Sequence, residues 1–309
     1  MKTSSALVVS CLLLASAAWA QRGPAPDPFV PEGVTVRLGP HTYAIPDGDI
    51  GGVPNVGIVV GERATLVIDP GLGRRNGEAI LREVAKVSAN TELYIVSTHF
   101  HPEHTTGYVA FPPTATYINS REQEAEFTTD GQRMIDVFAG RTPVMGDLLR
   151  DARRREADIT YSGSYRLDLG GVAVRMLVVG PTHTRGDTGF FVEGDGVLFA
   201  GDVVMNQSFV SANPNSSLTA WLAAFDAFEA MRPQRIVPAH GAIGDASLIP
   251  TLRGILQDIR LRARALKAAG RSADDTATTV QMEMQAAHPG WPRANGVAAL
   301  ARVAWDEVP

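Results

Sequence analysis

Three histidines and a glutamate lie within the six residues from His99 to His104, two residues after the apolar run 93–96. An apolar run of this length is typical of a buried strand, so the polar residues are expected at a strand end. Alternate positions of an extended segment face the same way, which lets His99 and His101 reach one ion. A turn after His101 then brings Glu103 and His104 towards a second ion. This spacing predicts a metal site.

Four more polar residues occupy the same local position, at the end of a strand-like run and next to a turn that contains Gly or Pro. They are Asp69, His183, Asp202 and His240. Ligand sites in sheet proteins gather at one end of the strands, so we expect these residues to join the histidine cluster. The other two of the seven histidines, His41 and His288, lie outside such motifs and are interpreted as ordinary polar groups.

The ligand types limit the metal and its chemistry. The one cysteine, Cys11, lies in an N-terminal segment that we expect to be removed, so histidines and carboxylates must hold any ion. These ligands suit zinc, iron or manganese. A bound ion of this kind lowers the pKa of its water towards ~7 and supplies a hydroxide nucleophile, which predicts hydrolysis.

The composition is that of a soluble globular protein and argues against a nucleic-acid partner. The 309 residues are 45% hydrophobic and 20% charged, and the formal net charge is -5. Binding to nucleic acid needs Lys and Arg clustered along a face or groove. We therefore expect a small-molecule substrate, and the sequence carries no signal for a particular oligomeric state.

The N-terminus has the parts of a secretory signal. Lys2 precedes an apolar stretch, which ends in Ala-Trp-Ala at 18–20. Residues 1–20 are predicted to be a signal peptide cleaved after Ala20, which places the protein in the periplasm or outside the cell. The apolar stretch is shorter than the roughly 20 residues of a spanning helix, so no integral membrane segment is expected after cleavage.

The rest of the chain divides into three predicted parts. Residues 21–33 contain four prolines and are expected to form an extended leader apart from the core. Residues 34–245 alternate strand and helix patterns, and residues 246–309 form a helical extension packed on them.

Two helical segments inside the second part matter for the site. Asn76 to Val87 is predicted to be a helix with Asn76 as its N-cap. The charged segment 120–156 is predicted to be a helical excursion over the site, broken at Gly131 and between Gly140 and Gly146.

The polar motifs, taken together, resemble those of the metallo-β-lactamase-fold hydrolase superfamily from about Val34 to Gly241. They are the turn Asp69-Pro70-Gly71, HFHPEH at 99–104, GPTHTRGDTGF from Gly180, FAGD from Phe199 and VPAHG from Val237. The resemblance implies an α/β (α+β) fold, an αββα sandwich of two mixed β-sheets flanked by helices. It also implies a site for one or two metal ions at one edge of the sandwich.

The resemblance further implies a role for each polar residue. It assigns His99, His101 and His183 to the first ion and Glu103, His104 and His240 to the second. Asp202 matches the carboxylate that bridges both ions in the glyoxalase II-like branch, and Asp69 matches a residue that orients the ligands. Glu103 and Asp202 are the expected catalytic residues.

The chain departs from the family at two positions. Glu103 stands where the family has Asp, so it could ligate the second ion, leave that site weak, or act on a proton. It could also accept backbone hydrogen bonds at a helix start. Asp202 stands where true β-lactamases have Cys or Ser, which places the chain nearer to the broader hydrolases of the superfamily.

The predicted function is a secreted hydrolase that uses one or two zinc ions on an ester, thioester, lactone or amide-like bond. The sequence is also compatible with two other functions. The first is an iron-dependent redox member of the same fold, and the second is a non-catalytic periplasmic accessory protein.

Overall fold

Two β-sheets packed between helices make up the described part of the chain, residues 25–307 of a computed structural model. The signal peptide predicted for residues 1–20 lies outside this part, and so do residues 21–24 of the predicted leader. Within residues 25–307, no helix combines the length and the apolarity needed to cross a membrane.

The first sheet contains seven strands, which follow one another in space as they do along the chain. They are β1 (Val36–Arg37), β2 (Thr42–Ile45), β3 (Val56–Val60), β4 (Ala64–Ile68), β5 (Glu92–Val96), β6 (Thr116–Ser120) and β7 (Ile159–Tyr161). Strands β1 to β4 pair antiparallel, and β4 to β7 pair parallel. The carboxyl ends of β4 and β5 therefore lie at the same edge.

The second sheet contains five strands in the order β12-β11-β10-β9-β8. They are β8 (Ser164–Asp168), β9 (Ala173–Val178), β10 (Thr188–Val192), β11 (Val197–Gly201) and β12 (Arg235–Pro238). Strands β8 to β11 pair antiparallel, and β11 pairs parallel with β12. Strands β9, β11 and β12 thus run in one direction and end at one edge.

Helices cover the outer face of each sheet. The described helices are α1 (Gly73–Val87), α2 (Pro102–Thr105), α3 (Arg121–Ala139), α4 (Pro143–Leu148), α5 (Leu218–Ala230), α6 (Leu248–Ala268), α7 (Ala273–Ala287) and α8 (Ala294–Glu307). A 3-10 helix, Thr106–Ala110, follows α2 directly.

Successive side chains along each strand point to opposite faces of the sheet, so each sheet packs against the other sheet on one face and against helices on the other. In β4, Leu66 faces the second sheet and packs in one cluster with Phe190, whereas Val67 faces α1 and packs with Ile80. In β10, Phe190 faces inward and Phe191 packs in the cluster formed with α5 to α8. The order helix, sheet, sheet, helix confirms the predicted αββα sandwich of two mixed β-sheets.

Helices α6 to α8 fall within the predicted extension 246–309. They share one buried apolar cluster with α5 and β11, which includes Leu198, Trp221, Leu256, Val280 and Leu300. Burial of an apolar side chain of this size contributes about 1.5–3 kcal/mol to folding. The C-terminal helices are therefore part of the packed structure on this side of the sandwich.

Helix α1 begins earlier than the sequence indicates, so the prediction of Asn76 as its N-cap is wrong. The helix starts at Gly73, and Asn76 is buried inside it. The Asn76 side chain instead accepts from the Val30 backbone N–H (2.9 Å) and donates to the Pro28 carbonyl (2.8 Å). These bonds tie residues 28–30 of the expected leader to the core, where Val30 is buried.

Helix α3 continues through Gly131, where the sequence predicts a break. A single glycine costs a helix only about 1 kcal/mol relative to alanine, which packing can offset. A Cβ atom at this position would lie 2.7 Å from the Phe127 ring, so the glycine makes room for that ring. The break comes at Gly140, the C-cap of the helix.

Candidate metal centre

The structure brings the seven predicted ligand residues together at one edge of the sandwich, where β4, β5, β9, β11 and β12 end. Among residues 25–307, three groups have ligand atoms within 4.8 Å of one another: His99, His101 and His183; His99, His104 and Asp202; and Glu103, His104 and His240. Backbone hydrogen bonds join the two sheets at this edge, from Thr188 to Thr98 (2.9 Å) and from Asn55 to Ala239 (2.7 Å).

His99, His101 and His183 form the first cluster, and Glu103, His104 and His240 form the second. The first cluster has the spacing of a metal site. His101 Nδ1 lies 3.0 Å from His99 Nε2 and 3.2 Å from His183 Nε2. A tetrahedral zinc ion with bonds of about 2.0–2.1 Å places its nitrogen ligands ~3.3 Å apart. Both distances from His101 are only slightly shorter than this value.

In four of the histidines, the ring nitrogen that faces away from the centre is Nδ1. A hydrogen bond to this atom fixes the tautomer and the direction of the ring. The Nδ1 partners are Thr98 Oγ1 for His99 (3.2 Å), Asp69 Oδ2 for His104 (3.0 Å), the Ser211 carbonyl for His183 (2.6 Å) and the Val53 carbonyl for His240 (2.9 Å). A carbonyl only accepts, so Nδ1 of His183 and of His240 carries the proton. Their Nε2 lone pairs therefore point into the centre.

Asp202 lies between the two clusters. Its Oδ2 is 3.7 Å from His183 Nε2, and its Oδ1 is 3.8 Å from His240 Nε2. Burial alone would raise the pKa of Asp202, but the pKa lies well below its usual value, and the charge of Arg293 is the largest cause that opposes burial. Asp202 is thus an anion with one oxygen directed at each cluster.

Unpaired polar atoms at the centre fit a bound cation. Within the described chain, Glu103 Oε2, His104 Nε2 and Asp202 Oδ1 are buried without a hydrogen-bond partner in the protein. Leaving such a group unpaired costs about 1–3 kcal/mol or more. All three atoms belong to predicted metal ligands, so cations held by the ligand groups of these residues would supply the missing partners.

The electrostatics of the centre also favour a cation. Burial lowers the pKa of His99, His101 and His104 well below the usual value, so these rings are neutral and can ligate. Burial raises the pKa of Glu103 to about 8. A positive ion beside this carboxyl group stabilises its anionic form and opposes the effect of burial.

Glu103 lies in the first turn of α2, which begins at Pro102. Its own backbone N–H interacts with the carboxylate, as expected at a helix start. The other oxygen, Oε2, is unpaired, and Oε1 lies 3.9 Å from His104 Nε2. Glu103 can therefore occupy the start of the helix and serve as a ligand in the second cluster at the same time.

The Asp69 carboxylate supports two histidine ligands, His104 directly and His99 through Thr98. Its carboxylate accepts from the Thr98 backbone N–H (2.7 Å), from Thr98 Oγ1 (2.9 Å) and from His104 Nδ1 (3.0 Å). Burial raises its pKa to about 8 against the effect of the Thr98 hydrogen bonds. Asp69 thus orients a ligand and is not itself in any of the three ligand groups.

We expect Asp69→Asn to weaken zinc binding about 10- to 100-fold, the usual effect of losing a partner that orients a ligand. Asp69 has a φ of 60°, which Asn tolerates, so the variant keeps the backbone and changes the acceptor. The zinc dissociation constant, measured by competition with a chromogenic chelator, checks this. Asp168→Asn at the exposed end of β8 is the matched control, and an equal effect of both variants would contradict the role of Asp69.

Helix α3 positions the His183 loop. Its N-cap is Ser120, and Glu126 accepts from the backbone N–H groups of Arg185 (2.9 Å) and Gly186 (2.8 Å). Inside the loop, Asp187 accepts from the Thr184 N–H (2.8 Å) and from the Thr182 hydroxyl group. The segment predicted to lie over the site therefore also orders one of its ligands.

The same segment contacts His101 directly. The Phe138 ring lies 6.2 Å from the His101 ring, and Phe138 packs with Met145, Leu148 and Leu72. An apolar wall on this side limits the access of water to the first cluster.

Three further residues support the centre and are missing from the sequence prediction. Asp47 accepts from the Gly241 N–H (2.7 Å), and the Asn55 side chain donates to the carbonyls of Pro238 (2.9 Å) and Gly241 (2.8 Å). Both hold the loop of His240. Asp47 follows β2 and precedes a glycine, so the strand-end pattern could have identified it.

The third of these residues is Arg293, whose Nη1 donates to Asp202 Oδ2 at 3.0 Å. It comes from the loop before α8, far along the chain from every motif. His41 and His288, by contrast, lie outside all three ligand groups. Nδ1 of His41 donates to the Val60 carbonyl (2.9 Å), and the His288 ring lies 4.7 Å from the Trp291 ring.

A cleft of about 620 Å³ opens beside the centre. Its lining includes His240, Gly241, Asn206, Ser208 and Arg293. This volume is within the usual range for small-molecule sites.

Comparison with known proteins agrees with this geometry. The sequence profile of the Metallo-beta-lactamase superfamily matches residues 49–240. The acyl-coenzyme A thioesterase MBLAC2 of Homo sapiens is 26% identical over 205 residues, which span 60% of this chain and 72% of that protein. The lactamase-like protein vrtG of Penicillium aethiopicum is 28% identical over 183 residues, 58% of this chain and 48% of that protein.

Solved structures share the fold. A metallo-beta-lactamase family protein from Thermus thermophilus has a TM-score of 0.62 at 20% identity, covering 87% of this chain and 94% of that one. A stereoselective inverting sec-alkylsulfatase from Pseudomonas sp. has a TM-score of 0.66 at 14% identity, covering 88% of this chain and 49% of that one. With the profile match across both sheets and the ligand motifs at their edge, the chain belongs to the metallo-beta-lactamase superfamily of hydrolases.

Proposed function

We propose that the protein is a zinc-dependent hydrolase that cleaves an ester, thioester, lactone or amide-like bond of a small molecule. The family assignment supports hydrolysis in general. The proposal narrows it to attack by water on a carbonyl carbon at a centre of one or two ions.

The main support for this proposal is the position of Asp202. Its two oxygens are directed at His183 (3.7 Å) and at His240 (3.8 Å), each in a different cluster and each with its Nδ1 held by a backbone carbonyl. A carboxylate in this position can hold two ions near each other. The buried unpaired atoms of Glu103 and His104 support a second ion position beside it.

The protein side chains hold and orient the reacting groups. A bound zinc ion supplies a water of lowered pKa and polarises the carbonyl oxygen of the substrate. His99, His101 and His183 fix the first ion position, and the hydrogen bonds on the outer nitrogens of His99 and His183 keep those rings from turning. The cleft beside His240 gives the substrate access from solvent.

Thioesters are the first substrates to test. The human relative is named an acyl-coenzyme A thioesterase, and the matched region spans 72% of it. Asp202 also supports a hydrolase of this broader kind over a true β-lactamase, because the latter resemble this chain in the histidines but carry Cys or Ser at this position.

A substrate panel tests the proposal. Metal-replete protein is assayed against S-phenyl thiobutyrate, a γ-lactone, 4-nitrophenyl butyrate, 4-nitrophenyl phosphate and a chromogenic β-lactam, with elemental analysis of the same sample. We expect bound zinc and hydrolysis of the thioester above the phosphate and the β-lactam. Bound iron without hydrolysis would contradict the proposal in favour of redox chemistry, and full zinc loading without hydrolysis would favour a non-catalytic role.

A further inference from the structure

Arg293 places a guanidinium group in the wall of the substrate cleft. It lies in the loop between α7 and α8 and lines the cleft of about 620 Å³ together with His240 and Ser208. Its side chain is 34% exposed, so it meets both the buried centre and the open space of the cleft. A substrate bound at the centre would therefore pass within reach of this side chain.

The loop that carries Arg293 is fixed against the segment that follows Asp202. The Phe209 N–H donates to the Pro292 carbonyl (3.3 Å), and the Phe209 ring lies 5.4 Å from the Trp291 ring. At the start of α8, a Cβ atom on Gly296 would lie 2.7 Å from the Val210 carbonyl oxygen, so the helix approaches this segment as closely as glycine permits. The position of Arg293 is thus set by the fold.

The backbone of Arg293 supports a specific role. Its φ is 64°, in the left-handed region that a residue with a side chain seldom adopts. Residues held in such a conformation are found preferentially at binding and catalytic sites. The conformation here ends the loop directly before α8, and the side chain reaches Asp202.

The hydrogen bonds of Arg293 leave donors for a ligand. Nη1 donates to Asp202 Oδ2 (3.0 Å), which anchors one arm of the planar fork. The fork has five N–H donors in total, and its exposed part faces the cleft. Arginine held in this way suits a carboxylate or a similar planar anion, which can accept two parallel hydrogen bonds.

Two acidic residues, Asp47 and Asp49, line the same cleft as Arg293. Both carboxylate oxygens of Asp47 accept backbone hydrogen bonds, from Asp49 (3.1 Å) and from Gly241 (2.7 Å). Asp49 is exposed at the rim of the cleft. Among the described residues that line the cleft, Arg293 is the one arginine or lysine, and its guanidinium group also contacts Asp202 of the metal centre.

We infer that Arg293 is a specificity residue that binds an anionic group, of the carboxylate kind, on the substrate of this hydrolase. The inference rests on the proposed function and adds a substrate class to it: carbonyl compounds with an acidic group a few bonds from the bond that is cleaved. Arg293 selects these substrates through hydrogen bonds from its exposed donors, while its contact with Asp202 keeps the fork in place.

A pair of esters of similar length tests the inference. Mono-(4-nitrophenyl) succinate ends in a carboxylate, and 4-nitrophenyl butyrate ends in a methyl group. We expect the wild type to prefer the succinate ester in kcat/KM and Arg293→Gln to reduce that preference about 10- to 100-fold, mainly through KM. Arg293→Lys is expected to lie between the two, because it keeps the charge and loses the planar fork.

The ratio of the two kcat/KM values is independent of the fraction of metal-loaded enzyme, so it separates recognition from any change in metal content. Arg302→Gln is the matched control: it removes the same charge from α8, where Arg302 pairs with Asp274 at the surface. It should leave the ratio unchanged. An unchanged ratio in Arg293→Gln, or an equal fall in both variants, would overturn the inference.

Calorimetric titration distinguishes failure of this inference from failure of the proposed function. Succinate and its neutral analogue succinamide are titrated into the zinc-loaded protein, with no bond cleaved. Tighter binding of succinate by the wild type, lost about tenfold or more in Arg293→Gln, supports the inference even if neither ester is hydrolysed. Equal binding of the two probes by the wild type would overturn it even if both esters are hydrolysed.

Discussion

Replacement of His183 by alanine is expected to lower kcat/KM on the order of 10³-fold and to reduce the bound zinc to about half or less of the wild-type content. His183 Nε2 is 3.2 Å from His101 Nδ1, and its other nitrogen donates to the Ser211 carbonyl (2.6 Å), so no neighbouring side chain can take its place. A metal ion contributes several kcal/mol to stabilising the transition state, and each ~1.36 kcal/mol is a tenfold change in rate.

His41→Ala is the matched control for this variant. His41 is a partly exposed histidine directly before β2 that donates to the Val60 carbonyl and belongs to none of the three ligand groups. We expect its activity and zinc content to stay near those of the wild type. Elemental analysis and kinetics on the same preparations give the comparison, and full activity with undiminished zinc in His183→Ala would rule out the ligand assignment.

The largest expected loss of stability follows Trp221→Ala, about 3–5 kcal/mol in the free energy of unfolding. Trp221 is fully buried in the cluster between the second sheet and the C-terminal helices, and its Nε1 donates to the Val203 carbonyl at 2.9 Å. The variant loses the burial of a large ring, leaves a cavity and removes the donor for a buried carbonyl. Val203 follows Asp202 directly, so the metal centre is expected to loosen as well.

Trp221→Phe separates these contributions, because it keeps most of the apolar volume and loses only the hydrogen bond, worth about 1–3 kcal/mol when a buried acceptor is left unpaired. Urea denaturation of both variants and the wild type at equal zinc loading gives the free energies of unfolding. A loss below about 1 kcal/mol for Trp221→Ala would contradict the role of this cluster.

Much of the site follows from local sequence patterns because each ligand lies in a segment that follows the end of a strand. The apolar residues of β4 and β5 predict two neighbouring strands, and Asp69 and His99 mark where these strands end. The carboxyl ends of parallel strands meet at one edge, so their polar residues must converge. The same rule brings Asp202 and His240 together after β11 and β12.

The features that the sequence does not reveal depend on contacts between distant segments. Arg293 reaches Asp202 across 91 residues of chain, and no motif surrounds it. Asn76 has the residue type of an N-cap, yet its side chain bonds to Pro28 and Val30 and stays inside the helix. Gly131 has the residue type of a helix breaker, and the packing of Phe127 on it keeps α3 continuous.

The role of Glu103 also depends on tertiary contacts. From the sequence it could be a ligand, a proton carrier or a helix-start carboxylate. The structure leaves its Oε2 buried and unpaired, brings its Oε1 within 3.9 Å of His104 Nε2, and holds its own N–H against the carboxylate. This geometry favours a ligand that also occupies the helix start, in keeping with a centre for two ions.

Bound metal and hydrolysis measured in the same samples test the central claim most directly. Protein stripped with a chelator is titrated with zinc, and the zinc content and the hydrolysis rate of the best substrate are determined at each step. The centre described above predicts no hydrolysis in the stripped protein and activity that rises with bound zinc until one or two ions per chain are held. Full hydrolytic activity in the stripped protein would contradict a metal-dependent hydrolase.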